Sequence, residues 1–186
     1  MSKQIYLLIF SLLLSGCATV TASSLSEDQK LAAMGEGAGL NNMGSRYQFG
    51  DGVPQDYEKA VMYYQKAVDQ DLSYAKTNLG YMYDLGLGVA EDNEKAISLY
   101  KEAANAGDPR GMINLAVMYG DGDNIEQSFE KAYFWLEIAR FYTQLSSDMQ
   151  AKWRARGLRD QIMRSLTPEQ IKRINKLAHD WIEENR

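Results

Sequence analysis

The strongest constraint on this chain is a period of 36 residues. Tyr47, Tyr83 and Tyr119 recur at that interval, and so do Gly50, Gly86 and Gly122. Lys59, Lys95 and Lys131 keep the same register, each followed by Ala60, Ala96 or Ala132. Two more columns hold Asn42, Asn78 and Asn114 beside Met43, Leu79 and Leu115. A repeat of this length is one supersecondary unit that cannot bury its apolar face alone, so successive copies must stack into a continuous core. The blocks run 36–71, 72–107 and 108–143.

Each block reads as a helical hairpin. In the second, Ala75, Leu79 and Tyr83 lie at i, i+4 and i+8 and define the apolar stripe of a first helix. Small residues beside that stripe, Gly44, Gly80 and Ala116, leave room for a neighbouring helix. The stripe ends at a glycine turn, GDGVPQD in block one and LGLGVAED in block two, where the chain must take positive φ. Asp56, Asp92 and Ser128 then stand three residues before the recurring Lys, where a side-chain oxygen can cap the next helix. The second helices follow as EKAVMYYQKAV, EKAISLYKEAA and EKAYFWLEIAR. Beyond the array, 147–165 reads as a helix carrying Trp153, Leu158 and Ile162. Thr167 and Pro168 open another, with Ile171, Ile174, Ala178 and Ile182 as its stripe. These helices are expected to cover the open end of the array, and residues 25–34 the other. The fold expected is therefore all-α: an α-solenoid of three 36-residue hairpins with a C-terminal helical cap over 144–186.

At these columns the chain resembles the Sel-one-like repeat family, relatives of the tetratricopeptide repeats. The pattern A-x-x-x-L-G-x-x-Y-x-x-G-x-G-V, then D, K-A, Y-Y and K-A-A, is matched nearly throughout by residues 75–107. Block one departs at Gly39 and Met43, and block three at Gly111, Ala116, Asn124 and Leu136, which puts the third turn's geometry in doubt. The branch of the family with paired cysteines is excluded, because the chain has one Cys. The resemblance implies a scaffold that binds a protein or peptide segment, with the first helix of each hairpin lining a concave groove. Asn41, Ser45 and Gln48, then Thr77, Tyr81 and Asp84, then Ile113 and Val117 are the groove positions it implies.

The amino terminus carries an address. Ile5 to Leu14 form an apolar run behind Lys3, the layout of a secretory signal and too short to span a bilayer. Leu14-Ser15-Gly16-Cys17 resembles the lipobox of bacterial lipoproteins, which implies removal of residues 1–16 and lipidation of Cys17. Residues 17–35 then read as a lipidated tether with a short helix at its end. Ala18 stands where an inner-membrane retention signal of such lipoproteins carries Asp, so the resemblance implies the outer membrane, facing the periplasm, with membrane contact through the anchor.

Charge narrows the partners. The formal charge is −5, which argues against nucleic acid. It is distributed unevenly: residues 36–143 hold 9 Lys+Arg against 17 Asp+Glu, whereas 144–186 hold 9 against 6. Lys152, Arg156 and Arg159, at i, i+4 and i+7, make a basic stripe that could dock an acidic partner or anionic lipid, or pair internally with the acidic array. The Asn column has two readings as well. Asn42, Asn78 and Asn114 could grip the backbone of a bound peptide, or satisfy neighbouring turns.

Chemistry is less well supported. Ser73-x-x-Lys76, Ser98-x-x-Lys101 and Ser128-x-x-Lys131 have the spacing of penicillin-recognising enzymes, and some relatives have been linked to penicillin binding, but no S-D-N or K-T-G partner motif accompanies them. Asp121 and Asp123 in GDGDN lack the remaining ligands of a calcium loop. With one His and one Cys, a protein zinc site lacks donors. The expectation is a membrane-anchored periplasmic interaction adaptor with no cofactor and no catalytic residue. The alternative is an envelope protein that binds or hydrolyses β-lactams or cell-wall material, with peptidoglycan as partner.

Overall fold

The protein was analysed as a computed structural model, which describes residues 24–122, 126–144 and 148–185. Cys17 and the signal-like segment therefore lie outside the described residues, as do Asp123 and Asn124. The described residues form helices and turns without a strand. They divide into two compact units, one ending at Gln70 and the other starting at Asp71.

The first unit contains α1, described over 24–33, α2 (Gly37–Phe49) and α3 (Tyr57–Val68). The second contains α4 (Ser73–Asp84), α5 (Asn93–Asn105), α6 (Pro109–Asp121), α7 (Phe129–Gln144), α8 (Met149–Met163) and α9 (Pro168–Glu184). Pairs α2/α3, α4/α5 and α6/α7 are the three solenoid hairpins, and their joints follow one plan. Gly50, Gly86 and Gly122 take φ of 73°, 62° and 73°, a left-handed conformation that a Cβ would oppose. The Asp56, Asp92 and Ser128 side chains accept from the amides of Lys59, Lys95 and Lys131. Their own amides donate back to the carbonyls of Tyr47, Tyr83 and Tyr119 at 2.8, 3.0 and 2.7 Å. Across the same joint, each recurring Lys ammonium sits over the ring of the recurring Tyr, at 5.3, 4.2 and 5.1 Å from the centroid. Two of the six sequence columns are thus the halves of one repeated cation–π contact.

The departures of block three compensate one another. In hairpins one and two a glycine faces a buried tyrosine: a Cβ on Gly44 would lie 2.6 Å from the Tyr64 ring, and one on Gly80 2.8 Å from that of Tyr100. Each tyrosine hydroxyl donates to an acceptor four residues after its glycine, Tyr64 to Gln48 at 2.6 Å and Tyr100 to Asp84 at 3.2 Å. In hairpin three all three positions change together: Ala116 replaces the glycine, Leu136 the tyrosine and Gly120 the acceptor. A smaller side chain leaves room for a methyl and needs no acceptor. The third joint keeps its turn, with Gly122 in the left-handed region and Ser128 capping α7.

Helices α1, α8 and α9 complete the two cores. Asp28 on α1 is buried and accepts from Arg46 Nε at 2.7 Å, and Gly39 on α2 admits Leu31 at a distance no Cβ would allow. In the second unit, Ile162 of α8 and Ile174, Ala178 and Ile182 of α9 join a core cluster with Leu115, Leu136 and Ile138. Thr167 caps α9 in a reciprocal box with Gln170, Pro168 follows at the first helical position, and Trp181 meets Trp135 edge-on at 5.8 Å.

Candidate interaction surface

The positions implied for a groove part into two sets. Gln48 is 7% exposed and engaged by the Tyr64 hydroxyl, Thr77 is 4% exposed and donates to Asp108 at 2.8 Å, and Ile113 is 1% exposed inside the core. These three are corrections to the expected lining: they hold the scaffold together and are not offered to a ligand. Position 113 carries an apolar residue because its packing environment is closed. Thr77 steadies Asp108, whose other oxygen caps α6 through the Arg110 amide. The remaining residues reach the surface. Asn41 and Ser45 are half-buried in the first unit, and in the second Tyr81 is exposed while Asp84 and Val117 are half-buried.

Asn42 donates to Asp28 Oδ1 at 2.8 Å, while the other oxygen of that carboxylate takes Arg46. In the first unit, therefore, the amide fastens α1 to α2. Asn78 and Asn114 are half-buried on α4 and α6. No sequence rule pointed to Asp28, because its contacts reach 14 and 18 residues along the chain and fall outside the period.

Asp84 and Val117 do come together. With Leu85, Glu91, Asn93, Met118 and Asp121 they line a cavity of about 340 Å³ between α4, the start of α5 and α6. Its lining holds three carboxylates and no cation. Burial holds the Asp84 carboxyl above the usual aspartate range. The Tyr100 hydroxyl and the charge of Arg154 pull it the other way, and Glu91 and Asp121 add repulsion. An electronegative pocket with an apolar floor of Leu85, Val117 and Met118 suits the end of a cationic side chain. Glu91 and Asp121 belong to this pocket and were not anticipated as groove residues, although the acidic balance of the repeats pointed in that direction.

The basic stripe is partly internal. Arg159 Nε donates to Glu137, which is 5% exposed on α7, and Arg140 Nε donates to its other oxygen at 3.0 Å. Burial pushes the Glu137 carboxyl up, but the two guanidiniums outweigh it and hold it below the usual glutamate range. Lys152 and Arg156 form no ion pair with any described residue.

The Ser-x-x-Lys pairs do not assemble a nucleophile. Ser128 is a helix cap, and Ser98 and Lys101 are both exposed on α5. Lys76 is held by Asp71 and, at 3.2 Å, by Glu102; its hydrogen bond to Asp71 raises its pKa, whereas a general base needs a lowered one. Among the described residues no group of His, Cys, Asp or Glu is arranged to hold a metal, and no helix is long and apolar enough to cross a membrane.

The sequence pattern of the Sel1 repeat matches residues 37–72, 73–108 and 109–140. Among solved structures, the chain is similar to a Sel1 repeat protein from Oxalobacter formigenes, at 26% identity and a TM-score of 0.56, over 68% of this chain and 57% of that one. It also shares its fold with a protective antigen present in uropathogenic Escherichia coli strains that displays an SLR fold, at 21% identity and a TM-score of 0.54, over 87% of this chain and 41% of that one. The chain spans less than two thirds of the length of either. No curated protein matches it.

Proposed function

Because the chain belongs to the Sel1 repeat family, whose members generally mediate protein–protein interactions, we propose that it is a binding adaptor that takes a basic, extended segment of a partner protein without performing chemistry of its own. The observation that carries this reading is the cavity of three carboxylates over an apolar floor between α4 and α6. A lysine or arginine of the partner would enter it, with Tyr81 and Val117 flanking the path of the segment. The family's scaffold is typically non-catalytic, and the Ser-x-x-Lys pairs are committed to capping, surface or ion-pair roles. Three repeats offer a short surface, which fits a modest and transient interface.

The test is selection from a displayed random peptide library, followed by titration of an enriched peptide. Enrichment of Lys or Arg beside an apolar residue is expected. Binding should then weaken by about tenfold or more in Glu91→Lys/Asp121→Lys, since both side chains are exposed and each reversal places a like charge against the ligand. No enrichment, or binding indifferent to the double reversal, would remove the reading.

The reading extends to location. Ile5–Leu14, the Leu14-Ser15-Gly16-Cys17 box and Ala18 support an outer-membrane lipoprotein facing the periplasm. Radiolabelled palmitate should enter the wild-type chain and not Cys17→Ser, which should leave the membrane fraction. Labelling that survives the substitution would refute the anchor. It would leave the adaptor reading standing.

A further inference from the structure

A second cavity, of about 230 Å³, opens between the end of α7 and α8. Arg140, Lys152, Arg156 and Arg159 surround it, with Thr143 and Ala155 between them, and no carboxylate lines it. Behind its wall lies Glu137. This carboxylate takes the Nε–H of both Arg140 and Arg159, an arrangement that fixes both planar guanidiniums and leaves nitrogens at their outer ends. Arg159 spends one of these on Asp160 at 3.3 Å, while Arg140 engages Glu137 through its Nε. Glu137 and Asp160 thus pair with Arg140 and Arg159, whereas Lys152 and Arg156 hold no ion pair among the described residues, around a space only large enough for a small ligand head.

Like charges brought together repel, and among the described residues two of the four contribute no ion pair. Such a cluster of cations is matched by a dianion. A phosphate monoester carries nearly two charges near neutral pH and accepts bidentate bonds from arginine forks. Trp153, 66% exposed, and Met149, 56% exposed, lie on the outer face of the same helix and offer apolar ground for the carbon portion of such a molecule.

We propose that this cavity is a binding site for a phosphoryl group carried on an organic molecule, with Lys152 and Arg156 as its free cations and Arg140 and Arg159 as positioned forks. The site is separate from the acidic pocket, so it stands or falls independently of the adaptor reading. The ligand's phosphate comes either from a lipid headgroup or from a free phosphorylated metabolite.

The experiment, on the Cys17→Ser chain so that no lipid anchor carries it to the vesicles, is calorimetric titration with glycerol 3-phosphate, and in parallel flotation with phosphatidylcholine vesicles with and without phosphatidic acid. Binding in the first arm assigns a soluble ligand; binding only to phosphatidic acid vesicles assigns a headgroup. In whichever arm binds, Lys152→Gln/Arg156→Gln should weaken affinity about tenfold or more. Lys172→Gln/Lys176→Gln, which removes the same charge from the exposed face of α9, should change it less than about threefold. Because Lys152 and Arg156 hold no ion pair among the described residues, the circular dichroism melting midpoint of the first variant should be no lower than that of the wild type. Absence of binding in both arms, or equal loss in both variants, would overturn the proposal.

Discussion

The glycine–tyrosine pairing inside the hairpins makes a quantitative prediction through Gly80 and Tyr100. A methyl added at Gly80 would lie 2.8 Å from Tyr100 Cε1 and 2.9 Å from Cδ1, against an optimum of about 3.5–4.0 Å for carbon pairs. Tyr100 is fully buried and its hydroxyl is held by Asp84, so the ring cannot swing aside. Overpacking of this kind costs about 1–3 kcal/mol. Replacing a mid-helix glycine by alanine returns about 1 kcal/mol of helix propensity. Gly80→Ala alone should therefore destabilise by about 1 kcal/mol. Tyr100→Leu removes a buried ring and its hydrogen bond and should cost about 2–3 kcal/mol. In the double variant, which copies Ala116 and Leu136 of the third hairpin, the overlap is gone and the propensity gain remains. Gly80→Ala should then be neutral or stabilising, a favourable coupling of about 1–2 kcal/mol. Urea unfolding followed by far-ultraviolet circular dichroism measures all four corners of the cycle. Additivity within about 0.5 kcal/mol would refute the steric account of both columns.

Other expectations follow from the charged contacts. Glu137→Gln should lower stability at neutral pH by about 2 kcal/mol, since hydrogen bonds to a charged group are lost. The folded state depresses the Glu137 pKa, so its stabilisation is present above the usual glutamate range and lost as pH falls through the lower folded value. The acid limb of a stability profile should accordingly be shallower in the variant. Asp84 has the opposite sign: its folded pKa is raised, so the wild type gains stability as pH drops from neutral towards the ordinary aspartate value, and Asp84→Asn should flatten that gain in thermal melts run across the range. Asp28→Ala should release α1, and limited trypsin digestion should cut after Lys30 well before the hairpins; an unchanged digestion pattern would show that the ion pair does not hold the helix.

The repeats were legible because their contacts obey the period. Tyr47 with Lys59 and Asp56 with the Lys59 amide are short-range pairs that recur in each copy, so identity at 36-residue spacing announces them. The drift of block three was not read as concerted, because the contact that joins positions 116, 120 and 136 shows only in the packing of the other two hairpins. Surface lining was read less well, because helical periodicity says which residues share a stripe and not whether a neighbouring helix covers it; Thr77 and Ile113 were misplaced for that reason. Asp28 and Glu137 were missed altogether. Asp28 on α1 is held from α2, and Glu137 on α7 takes Arg159 from α8 beside Arg140 of its own helix, and neither acid belongs to a repeated column.

The link between Thr77 and Asp108 bears on how such arrays lengthen. Thr77 stands near the start of the segment 73–108, and Asp108 is its last residue and the cap of the helix that comes next. An in-frame duplication of those 36 residues would copy the glycine, tyrosine and lysine that close the hairpin. It would also copy both halves of the link that fastens one hairpin to the one after it. The segment is therefore a self-contained genetic cassette, able to be inherited as an additional copy without compensating changes elsewhere. The first and third repeats, with Asn41 and Leu72 and with Ile113 and Gln144 at the corresponding positions, lack that pair.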